Sequence, residues 1–406
     1  AAAGAASGAD SVLGAFSGLT VADAPASTLI SKTPSLTFEP SWTSTSLTVP
    51  ATVDALKSSA DTLKSSLADS AAAFGAVSDS VDALFDAASG DSQGIAKDLR
   101  ARLDAAYVVG RPEIVAEQVS ADGTRKWLMR FPSRGAGKPV EIETVYIPEE
   151  GRGTLCISSQ VGCGMGCPFC ATGQLGLTRN MSAGEIVEQV RVAAKAMRDG
   201  EVAGGSGRLS NIVFMGMGEP MGNYKSVLSA VRQISSMPPE GFGISARNIT
   251  VSTVGVVPGI RKLAEEGIPV RLAVSLHAPS DELRDELVPM NKRFNTKQVL
   301  DAAHDYYLAS KRRVSIEYAL MRGINDQAEH AKLLAKRLNH YGDDWAHVNP
   351  IPLNPIEGSK WTASKPEDER RFLEILHNAG ITATLRDTRG QDIDGACGQL
   401  AAKERD

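Results

Sequence analysis

The sequence predicts an α/β protein built around a parallel sheet, and three observations predict it. From Gly153 onward, short β-rich runs alternate with helix-period patterns, which is the signature of βαβ units. The stretches that look chemical fall at the carboxyl ends of those runs, where parallel α/β folds place their ligands. The chain has 406 residues, 42% of them hydrophobic and 22% charged, enough for two or three domains with a sizeable core.

Residues 1–95 are rich in Ala, Ser, Thr and Asp. Within them, 51–89 has helical periodicity through Val53, Leu56, Leu63, Leu67, Phe74, Val77, Val81 and Leu84. The rest of that segment is low in complexity, a composition often left unfolded. It holds three basic and ten acidic residues, so its net charge is −7 and the remainder of this −5 chain carries +2. Total charge therefore neither requires nor excludes a nucleic-acid partner. Next, 126–133 (KWLMRFPS) and 139–147 (PVEIETVYI) read as two strands joined through Gly135 and Gly137. Glu141 and Glu143 fall on one face of the second strand, a pattern that usually marks a solvated face.

Beyond Gly153 the strand candidates are 154–158, 211–216, 248–253, 270–276, 313–320 and 346–351. Ser182 with Glu185 forms a capping box that opens a helix over 183–198. Further helical patterns cover about 223–235, 258–266, 280–287, 296–309, 326–340 and 366–379. No run approaches the roughly eighteen apolar residues of a membrane span. No basic region precedes an apolar core, so no secretory signal is expected, and clustered thiols suit a cytoplasmic location.

Three of the five cysteines lie in CISSQVGCGMGCPFCATGQLGLTR (156–179) as C-x3-C-x2-C: Cys163, Cys167 and Cys170. Glycines and Pro168 punctuate the run, so it reads as a loop. Three thiolates can hold three irons of a 4Fe-4S cluster and leave the fourth iron open to a substrate. A structural zinc site commonly takes a second C-x2-C pair, which is lacking, and a disulfide framework does not suit so few cysteines in a long chain.

Four further places stand at strand ends. Gly216-Met217-Gly218-Glu219-Pro220 offers carbonyls and a carboxylate that can accept hydrogen bonds from an ammonium; alone it is equally readable as a Gly/Pro-rich turn. Ser252, then Ser275-Leu276-His277, then Asn354 occupy the others. A lone histidine such as His277 is more often packed or solvated than a ligand. Of the two outlying cysteines, Cys156 has the apolar setting of a buried core thiol. Cys397, in DTRGQDIDGACGQL, reads as an exposed thiol on a flexible polar loop, where reactivity is favoured. Basic residues Lys292, Arg293, Lys311, Arg312, Arg313, Arg322, Arg386 and Arg389 near loop ends suit phosphate contact without specifying it.

The cysteine string, with Cys156 seven residues upstream of Cys163, resembles one branch of the radical S-adenosylmethionine (SAM) enzymes. The branch comprises the bacterial rRNA/tRNA adenine-C2 methyltransferases and their C8-methylating, antibiotic-resistance relatives. The similarity runs from about Trp127 to Gln399. It implies a partial (β/α)6 radical SAM barrel over 151–365. Before the barrel come an N-terminal extension (1–95) and a β-hairpin connector (96–150); after it, 366–406 carries Cys397. It implies a 4Fe-4S cluster on Cys163, Cys167 and Cys170, and SAM contacts by Gly218, Glu219, Ser252, Ser275, Leu276, His277 and Asn354. Glu143 matches the proposed proton acceptor, Cys397 the methyl carrier and Cys156 the thiol that resolves an RNA adduct. The implied partners are 23S rRNA, tRNA and an electron donor such as flavodoxin, for a monomer without a membrane. Residues 1–95 do not resemble the basic RNA-binding domain found there in the family. Adenine C2 is electron-poor and no ordinary nucleophile, so the implied route adds a carbon radical, drawn from S-methylated Cys397, to the base. A Cys156–Cys397 disulfide then forms, and external reductant restores the thiols. The alternatives are C8 methylation, an iron–sulfur carrier or redox sensor, and an inactive RNA-binding module.

Overall fold

The computed structural model describes residues 29–31, 107–109, 111–133, 137–149, 152–202, 209–354, 359–387, 389–390, 392–393 and 397–403. The helical pattern expected over 51–89 and the glycine turn at Gly135 lie outside them. Two compact units divide the chain. The first, 1–110 with 133–138, shows a two-stranded antiparallel pair, β1 (Leu29–Ser31) with β2 (Tyr107–Val109).

The second unit, 111–132 with 139–406, is organised on one sheet. It begins with an antiparallel meander: β3 (Glu113–Val119), β4 (Arg125–Phe131), β5 (Val140–Glu149) and β6 (Arg152–Cys156). Thus 126–133 and 139–147 do pair as a hairpin, and a further strand, β3, flanks it. β3 escaped the sequence because EIVAEQV lacks a clean apolar–polar alternation, and it is mostly exposed, as suits an edge strand. The stretch 156–179 is more ordered than its glycines suggest. β7 (Gln160–Gly162) pairs with β8 (Leu177–Asn180), and α1 (Ala171–Gln174) is a single helical turn between them.

From β6 the sheet runs parallel through β9 (Asn211–Phe214), β10 (Ile249–Thr253), β11 (Arg271–Ser275), β12 (Val314–Leu320) and β13 (Ala346–Pro352). Helices fill the crossovers: α2 (Ala183–Arg198), α3 (Tyr224–Ser235), α4 (Val257–Glu265), α5 (Asp281–Leu287), α6 (Thr296–Ser310) and α7 (Ala328–Asn339), and α8 (Pro366–Asn378) follows the last strand. A short α9 (Gln399–Lys403) follows. Six parallel strands with crossover helices make the predicted (β/α)6 frame, open between edge strands β13 and β3.

The frame forms because its strands are largely buried: Leu272, Ala273 and Val274 are buried on both faces of β11, and Val314, Ile316 and Tyr318 line one buried face of β12. Each such Val, Leu or Ile contributes about 1.5–3 kcal/mol when fully buried. α2 starts where predicted, since Ser182 Oγ accepts from Glu185 N at 3.2 Å and Glu185 Oε2 accepts from Ser182 N at 2.9 Å. Among the described residues no helix is long and apolar enough to cross a membrane.

Candidate functional site

The cysteine loop is closed at its neck, where Cys163 N donates to Gly176 O at 2.9 Å. Cys167 is buried, while Cys163 and Cys170 are partly so. Burial pushes the Cys163 thiol up to about 11, opposed by the Met165 N–H and reinforced by the charge of Cys170. Burial pushes Cys167 up to about 12, with the charges of Cys170 and Cys163 adding to it. Burial also raises Cys170, against hydrogen bonds from the Gly173 and Thr172 N–H groups. The charge of Cys170 raises both Cys163 and Cys167, and a bound cation would relieve that repulsion. Among the described residues no three His, Cys, Asp or Glu groups converge on a single metal ion. Three thiolates spaced C-x3-C-x2-C, with no second C-x2-C pair in the sequence, suit one thiolate at each of three irons.

Glu219 follows β9 and is 2% exposed. Its Oε1 accepts from Met221 N and its Oε2 from Val254 N, both at 2.9 Å, so it ties the end of β10 to the turn after β9. Burial lifts it to about 7, opposed by those N–H donors and the Thr253 side chain. Gly218 holds a left-handed φ of +102°, and a Cβ there would lie 2.5 Å from Gln160 Cβ. Ser252 Oγ donates to Phe214 O at 2.6 Å, its oxygen remaining an acceptor. Ser275 ends β11, and Leu276 is buried with its N–H on Glu317 O.

His277 is buried, and burial drives its pKa down to about 3, helped by the Arg284 charge. Its Nδ1 accepts from Ala319 N at 3.0 Å, which places the proton of the neutral ring on Nε2. The ring meets Phe169 of the cysteine loop edge-on at 5.1 Å. His277 thus joins that loop to β12. Asn354 lies two residues past β13 and is half-buried.

Two expectations need correcting. Glu143 is not on a solvated face but 1% exposed. Its Oε2 takes Lys126 Nζ at 3.0 Å and Gly398 N at 2.7 Å, and its Oε1 takes Ala401 N at 2.8 Å. Burial is tolerated because the carboxylate is paired and hydrogen-bonded. Nor is Cys397 an exposed thiol on an open loop. It is partly buried, its carbonyl accepts from Thr172 Oγ1 at 3.1 Å, and its Sγ lies 4.0 Å from Cys156 Sγ. Cys156 is buried, as its apolar strand implied. As a thiol Cys397 donates to Met215 O at 3.4 Å. It ionises more readily than an ordinary cysteine because Cys156 hydrogen-bonds it, with the charges of Lys126 and Arg386 assisting. Cys156 is raised by the same hydrogen bond and by burial.

The basic candidates separate. Arg386 stands inside the site, with Nη1 4.0 Å from Met215 Sδ. Lys292, Arg293 and Arg322 are exposed beyond the carboxyl ends of β11 and β12. Lys311, Arg312 and Arg313 precede β12, at the opposite end of the sheet from the cysteine loop. Arg313 pairs with Asp344, and Arg389 with Asp387. Sequence reasoning missed Lys126, Thr172 and Arg284. Arg284 is fully buried and bonds Leu276 O, Ser275 O, Val254 O and Asn291 Oδ1, gathering the ends of β10 and β11. Nothing in DELRDEL distinguishes it from a solvated helical arginine.

Residues 157–335 match the family described as the Radical SAM superfamily. The chain is 97% identical over 265 residues to a protein of Bifidobacterium adolescentis named "Probable dual-specificity RNA methyltransferase RlmN", which covers 65% of this chain and 69% of that one. A protein of the same name from Nocardioides is 62% identical over 264 residues, covering 65% and 70%. A solved structure titled as a radical SAM methyltransferase from Sphaerobacter thermophilus superposes with a TM-score of 0.67 at 43% identity, over 77% of this chain and 87% of that one.

Proposed function

The chain belongs to the RlmN family of radical SAM RNA methyltransferases, whose cofactors are a 4Fe-4S cluster and SAM, and from that premise we propose that it methylates C2 of adenine in 23S rRNA and tRNA, with Cys397 as the methyl carrier. Cys163, Cys167 and Cys170 hold the cluster. The carboxylate of Glu219, with the glycine backbone beside it, accepts the ammonium of SAM. Ser252, Ser275, Leu276, His277 and Asn354 shape the rest of that pocket. When bound, the two cofactors supply a one-electron route to a carbon radical. An external electron donor such as flavodoxin reduces the enzyme.

The protein's own groups perform the remaining work. Cys397 ionises with help from Cys156, Lys126 and Arg386, and its thiolate would take the methyl of one SAM, whose sulfonium S–C bond breaks to leave S-adenosylhomocysteine. After the carbon radical has joined the base, the adduct must give up one electron, which the bound cofactor would take back, and Glu143 accepts the proton displaced from the ring carbon. Cys156 then attacks the sulfur of Cys397. An S–S bond forms as the bond between Cys397 sulfur and the methyl carbon breaks. The electron pair leaves with that carbon, which takes up a proton and becomes the product methyl.

The observation that carries this reading is the 4.0 Å separation of the Cys156 and Cys397 sulfurs, beside the cysteine loop through Thr172. An electron carrier has no use for such a thiol pair beside the cysteine loop. The test is mass spectrometry of nucleosides from RNA treated with the reconstituted enzyme. The expected product is 2-methyladenosine. 8-Methyladenosine would establish the C8 alternative, and no methylated base would leave an iron–sulfur redox protein.

A further inference from the structure

The buried Lys126–Glu143 pair has a position that proton acceptance alone does not explain. In the register of β4 and β5, Leu128 faces Glu143 and Lys126 faces Val145, so Lys126 and Glu143 are diagonal neighbours on one face. Both side chains are 0% exposed. A buried ion pair contributes little net stability, because desolvation offsets its attraction, so its retention calls for another reason.

That reason lies in what the carboxylate holds. Gly398 N and Ala401 N, at the start of α9, both end on Glu143. These N–H groups have no partner within the helix itself. With Lys126, they occupy at least three of the roughly four lone-pair sites of a carboxylate. Leu400 and Ala401 are buried just beyond. Gly398, at φ +91°, packs so closely on Thr172 that a Cβ would lie 2.4 Å from Thr172 Oγ1. Upstream, Gly390 N donates to Asp122 Oδ2 at 3.0 Å and Ala121 N donates to Asp392 Oδ2 at 2.9 Å. The segment bearing Cys397 is therefore tied at one end to the β3–β4 turn and at the other to the face of β4 and β5.

We propose that Lys126 and Glu143 are a docking post for the Cys397 segment: a positioning pair that sets how closely Cys397 stands to Cys156. Glu143 grips the backbone immediately after Cys397, and Lys126 keeps that grip charged where water is excluded. The antiparallel connector before the barrel thereby becomes part of the site, because it fixes the segment that carries one member of the thiol pair. The inference rests on Cys397 being the reactive thiol, and it deepens the role of Glu143.

Thiol accessibility tests it without depending on methyl transfer. Reduced, cluster-loaded full-length chain is treated with iodoacetamide, and labelling of Cys397 is followed by peptide mass spectrometry. A parallel sample receives diamide, and formation of the Cys156–Cys397 disulfide is timed. Glu143→Ala should label at Cys397 faster than the wild type by at least about tenfold, the effect of losing one charge-assisted hydrogen bond, and should form the disulfide more slowly by a similar factor. Iron content should not change. Should Glu143→Ala fail to fold around an unpaired Lys126, the double variant Lys126→Met/Glu143→Leu removes both charges and the acceptor while keeping volume. It should show the same two changes. Labelling and disulfide rates within about twofold of wild type, less than any lost hydrogen bond gives, in a folded variant of either kind overturn the proposal. Since labelling reads the docked segment and nucleoside analysis reads the chemistry, failure of one is distinguishable from failure of the other.

Discussion

Cys156 Sγ lies 4.0 Å from Cys397 Sγ, although the two residues are 241 positions apart. The sheet brings one and the docked C-terminal segment brings the other. A disulfide requires about 2.05 Å between sulfurs, so one small side-chain movement separates this pair from bonding.

Mild oxidation of the reduced, cluster-loaded chain should therefore couple Cys156 to Cys397 in preference to any other pair. Peptide mapping after diamide treatment checks this. New disulfides confined to the loop cysteines contradict it.

Cys163, Cys167 and Cys170 should together hold one cluster. Anaerobically prepared protein should contain about four irons, as a 4Fe-4S centre requires, and Cys167→Ala should lose them. Stoichiometric zinc without iron after reconstitution contradicts the assignment.

If Glu219 holds the ammonium of SAM as proposed, SAM binding should depend on pH. Its folded value of about 7 lies above an unfolded value near 4.3. The folded chain thus keeps a proton that the unfolded chain has lost, and the stability this contributes is present below about pH 4.3 and lost as pH rises through about 7. An ammonium partner favours the ionised form, so SAM affinity should rise with pH up to about 7, by at most about tenfold per unit. Calorimetry between about pH 6 and 8 should show that slope in the wild type. Glu219→Gln should bind more weakly and lack the slope. An equal slope in both proteins removes Glu219 from the SAM site.

Gly218→Ala should cost more than a left-handed glycine normally does. Backbone strain costs about 1–3 kcal/mol, and here the added Cβ also strikes Gln160, whose amide oxygen holds Glu219 N at 2.8 Å. Gly200, with φ +74° and open space around it, supplies the comparison. Urea unfolding should rank Gly218→Ala well below Gly200→Ala in stability, with SAM binding impaired only in the former. Equal losses would show that the close approach does not matter.

Much of the fold was legible because it is written in local signals. The capping box of Ser182 and Glu185 fixes the start of α2, and apolar runs such as Arg271–Ser275 stand out between helical patterns. The cysteine spacing was equally plain. What stayed hidden depends on distant pairing. Glu143 alternates like a surface acid and becomes buried only because Lys126, Gly398 and Ala401 converge on it. Cys397 sits among glycines and acids that read as open loop, yet Asp122, Asp392 and Thr172 fasten its segment. Arg284 looks like one more charge on α5 and proves to be the buried hub of two strand ends.

On the proposed mechanism Cys397 becomes covalently joined to the RNA and Cys156 releases it. Thiol attack on that linkage needs the second sulfur nearby. Cys156→Ala should therefore accumulate a protein–RNA adduct under turnover, seen as a nuclease-sensitive shift on denaturing gels and mapped by mass spectrometry to Cys397. A Cys156→Ala protein that keeps its cluster and cleaves SAM, yet never shifts, would contradict the account.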